Sequence, residues 1–378
     1  MCYLQICTIC CNIIAMNILL VVSHLRRGGP VDVVYNICRN LIKTTNVSIL
    51  TLRKEGNNSK IADFRDLGIS VTQLNLSYLT CEIFKSIVTR KISRLITDKK
   101  IDIVHCHGYH PVIACARLQN VKKITTLHNR ANEDYINSFG PIIGRYMLWR
   151  YLGALKSFDA NVAVSSSAVT LYQTQGVPNV INVNNGINTS IYSIADSNKR
   201  NEIRNRLGLP LSGQIIISSG RIEPEKRCEA LVSWFTSYVS DLNIYLVVLG
   251  DGSRLESCKK ITSQDTRVLY TGRVSNVYEY LQCADYYISN SKSEGMSMAV
   301  CEGIGCGLTP ILSNIPSHRD VAEYIGGYLF DNVDKINIKE AMAHKHTPQE
   351  LHNYIRDNFS IDTMSEGYYN IYKCLINE

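Results

Sequence analysis

Short runs of β-branched and aliphatic residues recur along the chain and alternate with longer stretches whose apolar positions repeat at helical spacing. This is the pattern of βαβ units wound around parallel sheets. In the first half, the runs at 17–22, 47–51, 101–105, 123–127, 161–164 and 180–183 are expected to be strands. In the second half, the runs at 215–218, 244–249, 268–271, 286–289 and 309–312 are. Between the two series, residues 189–213 turn polar and charged, with Asn198, Lys199, Arg200, Asn201, Glu202 and Arg204, before Pro210 leads into a fresh apolar strand. A domain change is expected there. The anticipated organisation is an N-terminal extension over 1–15, a first domain over 16–190, a second over 191–355, and a C-terminal helix over 356–378 that crosses back to the first domain. The fold class is α/β, with two parallel-sheet domains facing across a cleft. Ligands of such sheets sit beyond the carboxyl ends of the strands, so the chemistry is sought in the loops that follow strands.

Composition narrows the choice without changing it. A chain of 378 residues exceeds one ordinary core, and 45% hydrophobic with 19% charged residues is globular composition. The formal net charge of +7 suits a diphosphate or an anionic membrane surface, and no nucleic-acid motif is present. Fourteen cysteines at irregular intervals, including Cys2, Cys7, Cys10, Cys11, Cys38, Cys115, Cys283 and Cys301, read as free thiols in a reducing compartment. Cys7, Cys10 and Cys11 lack a second ligand pair at zinc-site spacing, so no metal is expected of them. Residues 1–22 carry no formal charge, yet 17–22 read better as an opening buried strand entering Gly28 and Gly29 than as a span or signal peptide, and Met16 as a true start.

Two segments carry candidate chemistry. Residues 291–307 follow a strand and place Glu294 and Glu302 eight positions apart. With a helix beginning near Met296, Glu294 stays in the loop and Glu302 falls on the second turn, so the two bracket an elongated ligand. Carboxylates suit vicinal hydroxyls, and the backbone N–H groups of Gly295 and Met296 at a helix start suit phosphate. Read alone, one glutamate is equally an ordinary N-terminal helix charge and the other a solvated side chain. The second segment, Gly220-Arg221-Ile222-Glu223-Pro224-Glu225-Lys226, also follows a strand, with Pro224 placed to start a helix. Arg221 and Lys226 can close on one diphosphate, where fixed cations lower the barrier to its departure; as a surface charge run they would do nothing.

A basic loop at a strand end, followed by a Glu, seven residues and a Glu in a Gly-rich turn, resembles the retaining glycosyltransferase family 4 of GT-B fold, two Rossmann-like domains around a cleft. The resemblance extends from Met16 over nearly the whole chain. Its further marks are Gly28-Gly29, Thr125-Thr126-Leu127-His128-Asn129, Val183-Asn184-Asn185-Gly186-Ile187-Asn188, Gly250-Asp251-Gly252 and Gly272-Arg273-Val274. The resemblance implies that Arg221 and Lys226 hold the donor diphosphate, Glu302 the ribose hydroxyls, and Glu294 with adjacent backbone the transferred sugar. It further implies that Gly28 and Gly29 admit phosphate to the backbone, that Gly252 and Val274 lie at the donor, and that His128 sits beside the sugar. A lone histidine at a strand end is otherwise structural. His105 reads as core, while His107 and His110 stay open. The chain departs from the family at Met296 and Ser297, and Gly303 and Gly305 interrupt the helix at roughly 1 kcal/mol each.

No Asp-x-Asp motif is present, so no cofactor or catalytic metal is expected; the co-substrate is a nucleoside-diphosphate sugar. The resemblance implies a hexosyltransferase with front-face departure of the donor and a polyprenyl-diphosphate-linked oligosaccharide as acceptor. Residues 312–319 further resemble enzymes that assemble bacterial surface polysaccharides, O-antigen among them. Cytoplasmic location at the inner face of the plasma membrane is expected, through two aromatic and basic segments. One, 135–156, carries Tyr135, Phe139, Tyr146, Trp149 and Tyr151 with Arg145, Arg150 and Lys156. The other, 83–100, sets Ile87, Ile92, Leu95 and Ile96 on one face and Lys85, Arg90, Lys91 and Arg94 on the others, and is equally a sheet-packing helix. A non-hydrolysing sugar-nucleotide epimerase and a non-catalytic binding subunit are the alternatives; the missing Gly-x-Gly-x-x-Gly argues against a nicotinamide-dependent dehydrogenase.

Overall fold

The computed structural model describes residues 16–128, 130–343 and 346–377. The expected extension at 1–15, its cysteines and Asn129 lie outside the described residues. The first sheet is parallel and runs β3-β2-β1-β4-β5-β6-β7, with β1 Asn17–Val22, β2 Asn46–Arg53, β3 Ser70–Leu76, β4 Ile103–His107, β5 Lys122–Leu127, β6 Ala160–Ala163 and β7 Val180–Asn182. The second, also parallel, runs β10-β9-β8-β11-β12-β13, with β8 Gln214–Ser219, β9 Ile244–Leu249, β10 Val268–Gly272, β11 Tyr286–Ser289, β12 Thr309–Ser313 and β13 Tyr328–Phe330. The central strands are buried on both faces, because helices cover both sides of a parallel sheet, though β4 and β5 bury polar residues as well, among them His105, His107, Thr125 and Thr126. In each sheet the strand order reverses once, between β1 and β4 and between β8 and β11.

Two strands escaped the sequence pattern. β3 is an edge strand of mixed polar residues, half-exposed along its length, and β13 has three residues, so neither supplies an apolar run. β4 runs Ile103–His107, starting two residues later than expected and ending two residues later; just before it, Asp102 is tied to Asn17 by its amide, which donates to Asn17 O at 2.9 Å, and by its carboxylate, which accepts from the Asn17 amide at 2.7 Å.

The helix Lys85–Lys99 turns Val88 and Ile92 inward and leaves Ile87 exposed, so the expected face through Ile87 is corrected by about one position. The helix Ala131–Leu155 breaks at Gly140, whose φ of 76° and following Pro141 end the regular ladder. Of its aromatic residues, Tyr135 and Tyr151 pack into the first core, while Phe139, Tyr146 and Trp149 are exposed. Every described cysteine is a free thiol.

The chain passes between the sheets twice. Near the first passage, the Ile187 amide donates to Phe359 O at 2.8 Å and the Ile361 amide to Ile187 O at 3.0 Å. The last helix, Ile361–Asn377, then lays Met364, Tyr368, Tyr372 and Leu375 against Ile18, Ile37, Ile103 and Ile124 of the first domain. Gly186 allows the passages to touch, since a Cβ there would lie 2.2 Å from Ser360 O. Gly186→Ala is expected to destabilise the protein by about 1–3 kcal/mol, the usual cost of overpacking. Gly153→Ala, on a helix with no described atom within 4 Å of the added methyl, is expected to be neutral or to stabilise by up to about 1 kcal/mol. Thermal unfolding of the two variants reads the difference.

Candidate active site

The loop after β8 is built on backbone packed against backbone. Gly250 lies so close to Gly220 that a Cβ would sit 1.8 Å from Gly220 O, and one on Gly252 would sit 2.4 Å from Ile222 O. The Ile222 amide donates to Asp251 O at 2.9 Å, and Glu223 accepts from the Ser253 hydroxyl at 2.6 Å. Pro224–Lys226 form a single 3-10 turn, and the helix Cys228–Tyr238 begins only after Arg227, which corrects the expected helix start at Pro224. Arg227 takes the left-handed conformation at φ 48° and donates to Asn290 O at 2.8 Å and Ser291 O at 3.1 Å, while the Asn290 amide donates back to Arg227 O. This clamp ties the loop after β8 to the loop after β11.

The clamp aims Lys226 at Glu294: the ammonium and the carboxylate form a direct, partly buried ion pair. The Ser291 hydroxyl donates to the same carboxylate oxygen at 2.7 Å. The following helix is Met298–Gly305, two residues later than expected. Met296 is therefore not at a helix start; its side chain is buried in the second core. The carbonyl of Gly295 accepts from the Ser165 hydroxyl of the first domain at 3.0 Å. The two helical glycines are required by close approach, because a Cβ on Gly303 would meet the Tyr287 ring at 2.5 Å and one on Gly305 the Ile187 side chain at 2.9 Å.

Glu302 occupies the second turn of this helix and receives a hydrogen bond from the Tyr192 hydroxyl. Burial pushes its carboxyl up to about 7, the Tyr192 bond opposes that rise, and Asp32 across the cleft adds to it. Tyr192 had no signal in the sequence, since the passage between the domains brings it there.

Three cavities organise the predicted residues. A cleft of about 980 Å³ between the carboxyl ends of both sheets is lined by Gly28, Gly29, Arg221, Gly252, Val274 and Glu302. Arg26, Arg27 and Arg273 join them, and the Arg26-Arg27 pair ahead of the two glycines is a signal the sequence reading passed over. Gly28 and Gly29 leave open space where a Cβ would stand. Arg221 is 75% exposed at its side chain and borders a second cavity of about 500 Å³ together with Lys226, Glu294, Gly295, Arg130 and Glu133. Ser293 donates to Glu133 across this second space, so both domains build it. His128 is in neither; it lines a third cavity of about 240 Å³ within the first domain.

At His128, Nε2 lies 2.9 Å from His107 Nδ1. Burial pushes His128 down to about 4 and His105 to about 3, and it lowers His107 as well, so all three imidazoles are neutral at pH 7. His105 is a core residue, held by the Tyr372 hydroxyl at 2.7 Å and the Thr126 hydroxyl at 2.8 Å. His110 stands apart, 3.3 Å from the Glu82 carboxylate. Among the described residues His107 Nε2 is buried with no hydrogen-bond partner, a state that costs about 1–3 kcal/mol.

Two Rossmann-like domains meeting across a charged cleft, with basic and acidic groups at the carboxyl ends of the second sheet, are the architecture of a GT-B glycosyltransferase. Residues 27–191 match the model of Glycosyltransferase Family 4 and residues 199–359 that of Glycosyl transferases group 1, so the chain belongs to these glycosyltransferases. It is 24% identical to the O-antigen biosynthesis glycosyltransferase WclY of Escherichia coli, over 96% of this chain and 99% of that one. It is 25% identical to N-acetyl-alpha-D-glucosaminyl L-malate synthase of Bacillus anthracis, over 69% of this chain and 70% of that one. The fold is shared with Anabaena Alr3699/HepE, solved in complex with UDP-glucose, at a TM-score of 0.76 and 14% identity over 95% of this chain and 100% of that one.

The raised carboxyl of Glu302 has a direct consequence for stability. A carboxyl whose folded pKa exceeds its unfolded value favours the fold at low pH, and that contribution is lost as pH rises from about 4.5 to about 7. Glu302→Gln removes the titration. Wild-type stability is therefore expected to fall relative to Glu302→Gln by about 3 kcal/mol between pH 4.5 and 8, measured by denaturant unfolding at both pH values.

Proposed function

We propose that this glycosyltransferase moves a hexose from a nucleoside-diphosphate sugar, with retention of configuration, onto a lipid-linked saccharide during bacterial surface polysaccharide assembly. The observation that carries the reading is the convergence of Gly28, Gly29, Arg221 and Glu302 on one interdomain cleft that adjoins the Lys226 and Glu294 pair. Glu302 accepts the ribose hydroxyls, Arg221 and Lys226 face the diphosphate, and Glu294 accepts hydroxyls of the transferred sugar. Gly295 and Met296 contribute backbone alone, and His128 approaches the sugar from the first domain. The ion pair between Lys226 and Glu294 orients both groups before the donor arrives, so little reorganisation is left for the transition state. As the bond from C1 to the diphosphate oxygen breaks, its electron pair stays on the diphosphate. That oxygen takes the proton of the acceptor hydroxyl, while the acceptor oxygen bonds C1 on the same face. The cations offset the charge gained by the leaving group, so no metal is needed in this scheme. The similarity to WclY over nearly the full length of both chains supports the polysaccharide setting, and the UDP-glucose bound by the Anabaena protein supports a sugar-nucleotide donor.

Release of nucleoside diphosphate from a panel of UDP-, GDP- and ADP-sugars tests the reading, with and without lipid-linked acceptor. Arg221→Ala and Glu294→Ala are each expected to lower kcat/KM by about a hundredfold or more, the cost of one preorganised group at a developing charge. Binding without release, or an isomerised donor, would sink it.

A membrane role rests on the first domain. Leu79, Ile83, Phe84 and Ile87 are exposed along residues 79–87, and Ile142, Tyr146 and Trp149 along the helix Ala131–Leu155, with Ile142 84% and Trp149 71% accessible. Arg150 pairs with Glu82 and stacks over the Tyr146 ring, which ties the two stretches together. Arg90, Lys91 and Arg94 are exposed on the helix Lys85–Lys99 that carries Ile87, and Arg145 on the helix that carries Ile142 and Trp149, basic groups of the kind an anionic headgroup layer needs. Among the described residues no helix is long and apolar enough to cross a membrane. The double variant Ile142→Asp, Trp149→Ser is expected to lose at least tenfold in affinity for phosphatidylglycerol vesicles by co-sedimentation; equal binding would remove this face from the proposal.

A further inference from the structure

The segment that passes between the domains also reaches a residue of the interdomain cleft. Five positions beyond Ile187 the chain turns, with the Ile191 and Tyr192 amides donating to Asn188 O at 3.0 and 2.9 Å. The turn brings Tyr192 to the helix Met298–Gly305, where a Cβ on Gly305 would stand 3.3 Å from the Tyr192 carbonyl and the ring packs against the second core. From there its hydroxyl donates to the Glu302 carboxylate. Glu302 lines the cleft of about 980 Å³, whereas Tyr192 is not among its lining residues. The tyrosine can therefore act on a bound ligand only through the carboxylate.

Gln282 adds an independent observation. It is buried at the end of the helix Val277–Gln282, and its amide nitrogen donates to Ile191 O at 3.3 Å and to Ser193 O at 3.1 Å, the carbonyls on either side of Tyr192. The reverse orientation would set the amide oxygen against both carbonyls. In the orientation adopted, Oε1 is buried with no hydrogen-bond partner among the described residues, which costs stability. A buried amide that forgoes its own acceptor bond to grip both neighbours of one residue fixes where that residue's ring can point.

A glutamate accepts two vicinal hydroxyls only when its carboxylate is turned toward them, and a free side chain gives up rotamer freedom to take that position. Burial acts on Glu302 without direction, and Asp32, across the cleft, is a carboxylate bound to Lys60 Nζ at 2.6 Å with no donor to offer. The Tyr192 hydroxyl is different, because a hydrogen bond to a carboxylate is strong and directional. Freedom already lost in the unliganded protein does not weaken binding.

We propose that Tyr192 is a positioning residue for the ribose of the donor: its hydroxyl holds the Glu302 carboxylate in the rotamer that accepts the ribose hydroxyls, and Gln282 holds Tyr192 in place. This role rests on Glu302 being the ribose acceptor and adds what orients it. It also places the segment joining the two domains in direct contact with the donor's binding group.

Isothermal titration calorimetry of the full chain at pH 8 identifies which of UDP, GDP and ADP binds, and the 2′-deoxy and 3′-deoxy forms of that nucleotide then measure each ribose hydroxyl. In the wild type, loss of at least one hydroxyl is expected to weaken binding by about tenfold or more, the effect of one hydrogen bond to a charged group. Glu302→Ala is expected to bind all three forms alike. Tyr192→Phe keeps the ring and removes only the hydroxyl; it is expected to cut the discrimination to about threefold or less, and Gln282→Ala to do the same. A Tyr192→Phe protein that binds all three forms more weakly but discriminates as the wild type does would overturn the role, since a merely structural tyrosine affects the three equally. If Gln282→Ala does not fold, Tyr192→Phe decides alone. A wild type that binds the nucleotide without distinguishing its deoxy forms would overturn the role together with the reading of Glu302. Absence of binding by all three nucleotides would strike the sugar-nucleotide reading itself, and the role with it.

Discussion

Two passages of chain join the domains, and they are tied to each other where Ile187 exchanges hydrogen bonds with Phe359 and Ile361. Everything in the cleft depends on this knot, because it fixes how the carboxyl ends of one sheet face those of the other. It is possible only with a glycine at 186, where the backbone of Ser360 occupies the space of a side chain. From the same knot the chain leads into the last helix, whose buried Tyr368 and Tyr372 reach Thr126 and His105 beneath the first sheet's carboxyl edge. The second domain is thereby anchored to the interior of the first rather than to its surface.

Within the second domain, rigidity comes from loops packed backbone to backbone. Gly220 against Gly250 and Ile222 against Gly252 leave no room for side chains, so the basic loop cannot drift from its neighbour. The Arg227 fork then carries that order to the loop after β11, and the Lys226 and Glu294 pair is its result. A charged pair partly removed from water costs desolvation that good geometry offsets only in part. Here Ser291 supplies a further hydrogen bond to the carboxylate, and the loop positions are set by backbone, not by the ion pair.

Electrostatics divides the site into two environments. In the interdomain cleft, Arg26, Arg27, Arg221 and Arg273 border a wide space in which burial pushes Glu302 toward neutrality. On the first-domain side the imidazoles of His105, His107 and His128 are neutral and the walls are aromatic. The former is wide and basic, the latter narrow, neutral and aromatic.

By itself the sequence determined the two series of parallel strands, since buried central strands must be continuous apolar runs, and it exposed Glu294, Glu302, Arg221 and Lys226 through their position after those runs. It marked Gly303 and Gly305 only as interruptions of a helix, while the close approach of Tyr287 and Ile187 that requires them appears only in the structure. The edge strand β3 and the short β13 stayed hidden, as half-exposed or three-residue strands carry no periodic signal. Only the tertiary structure decided that Lys226 meets Glu294, that Tyr192 reaches Glu302, and that His107 pairs with His128. Each of those contacts joins residues distant along the chain whose approach is set by loop closure and domain placement, and local pattern records neither.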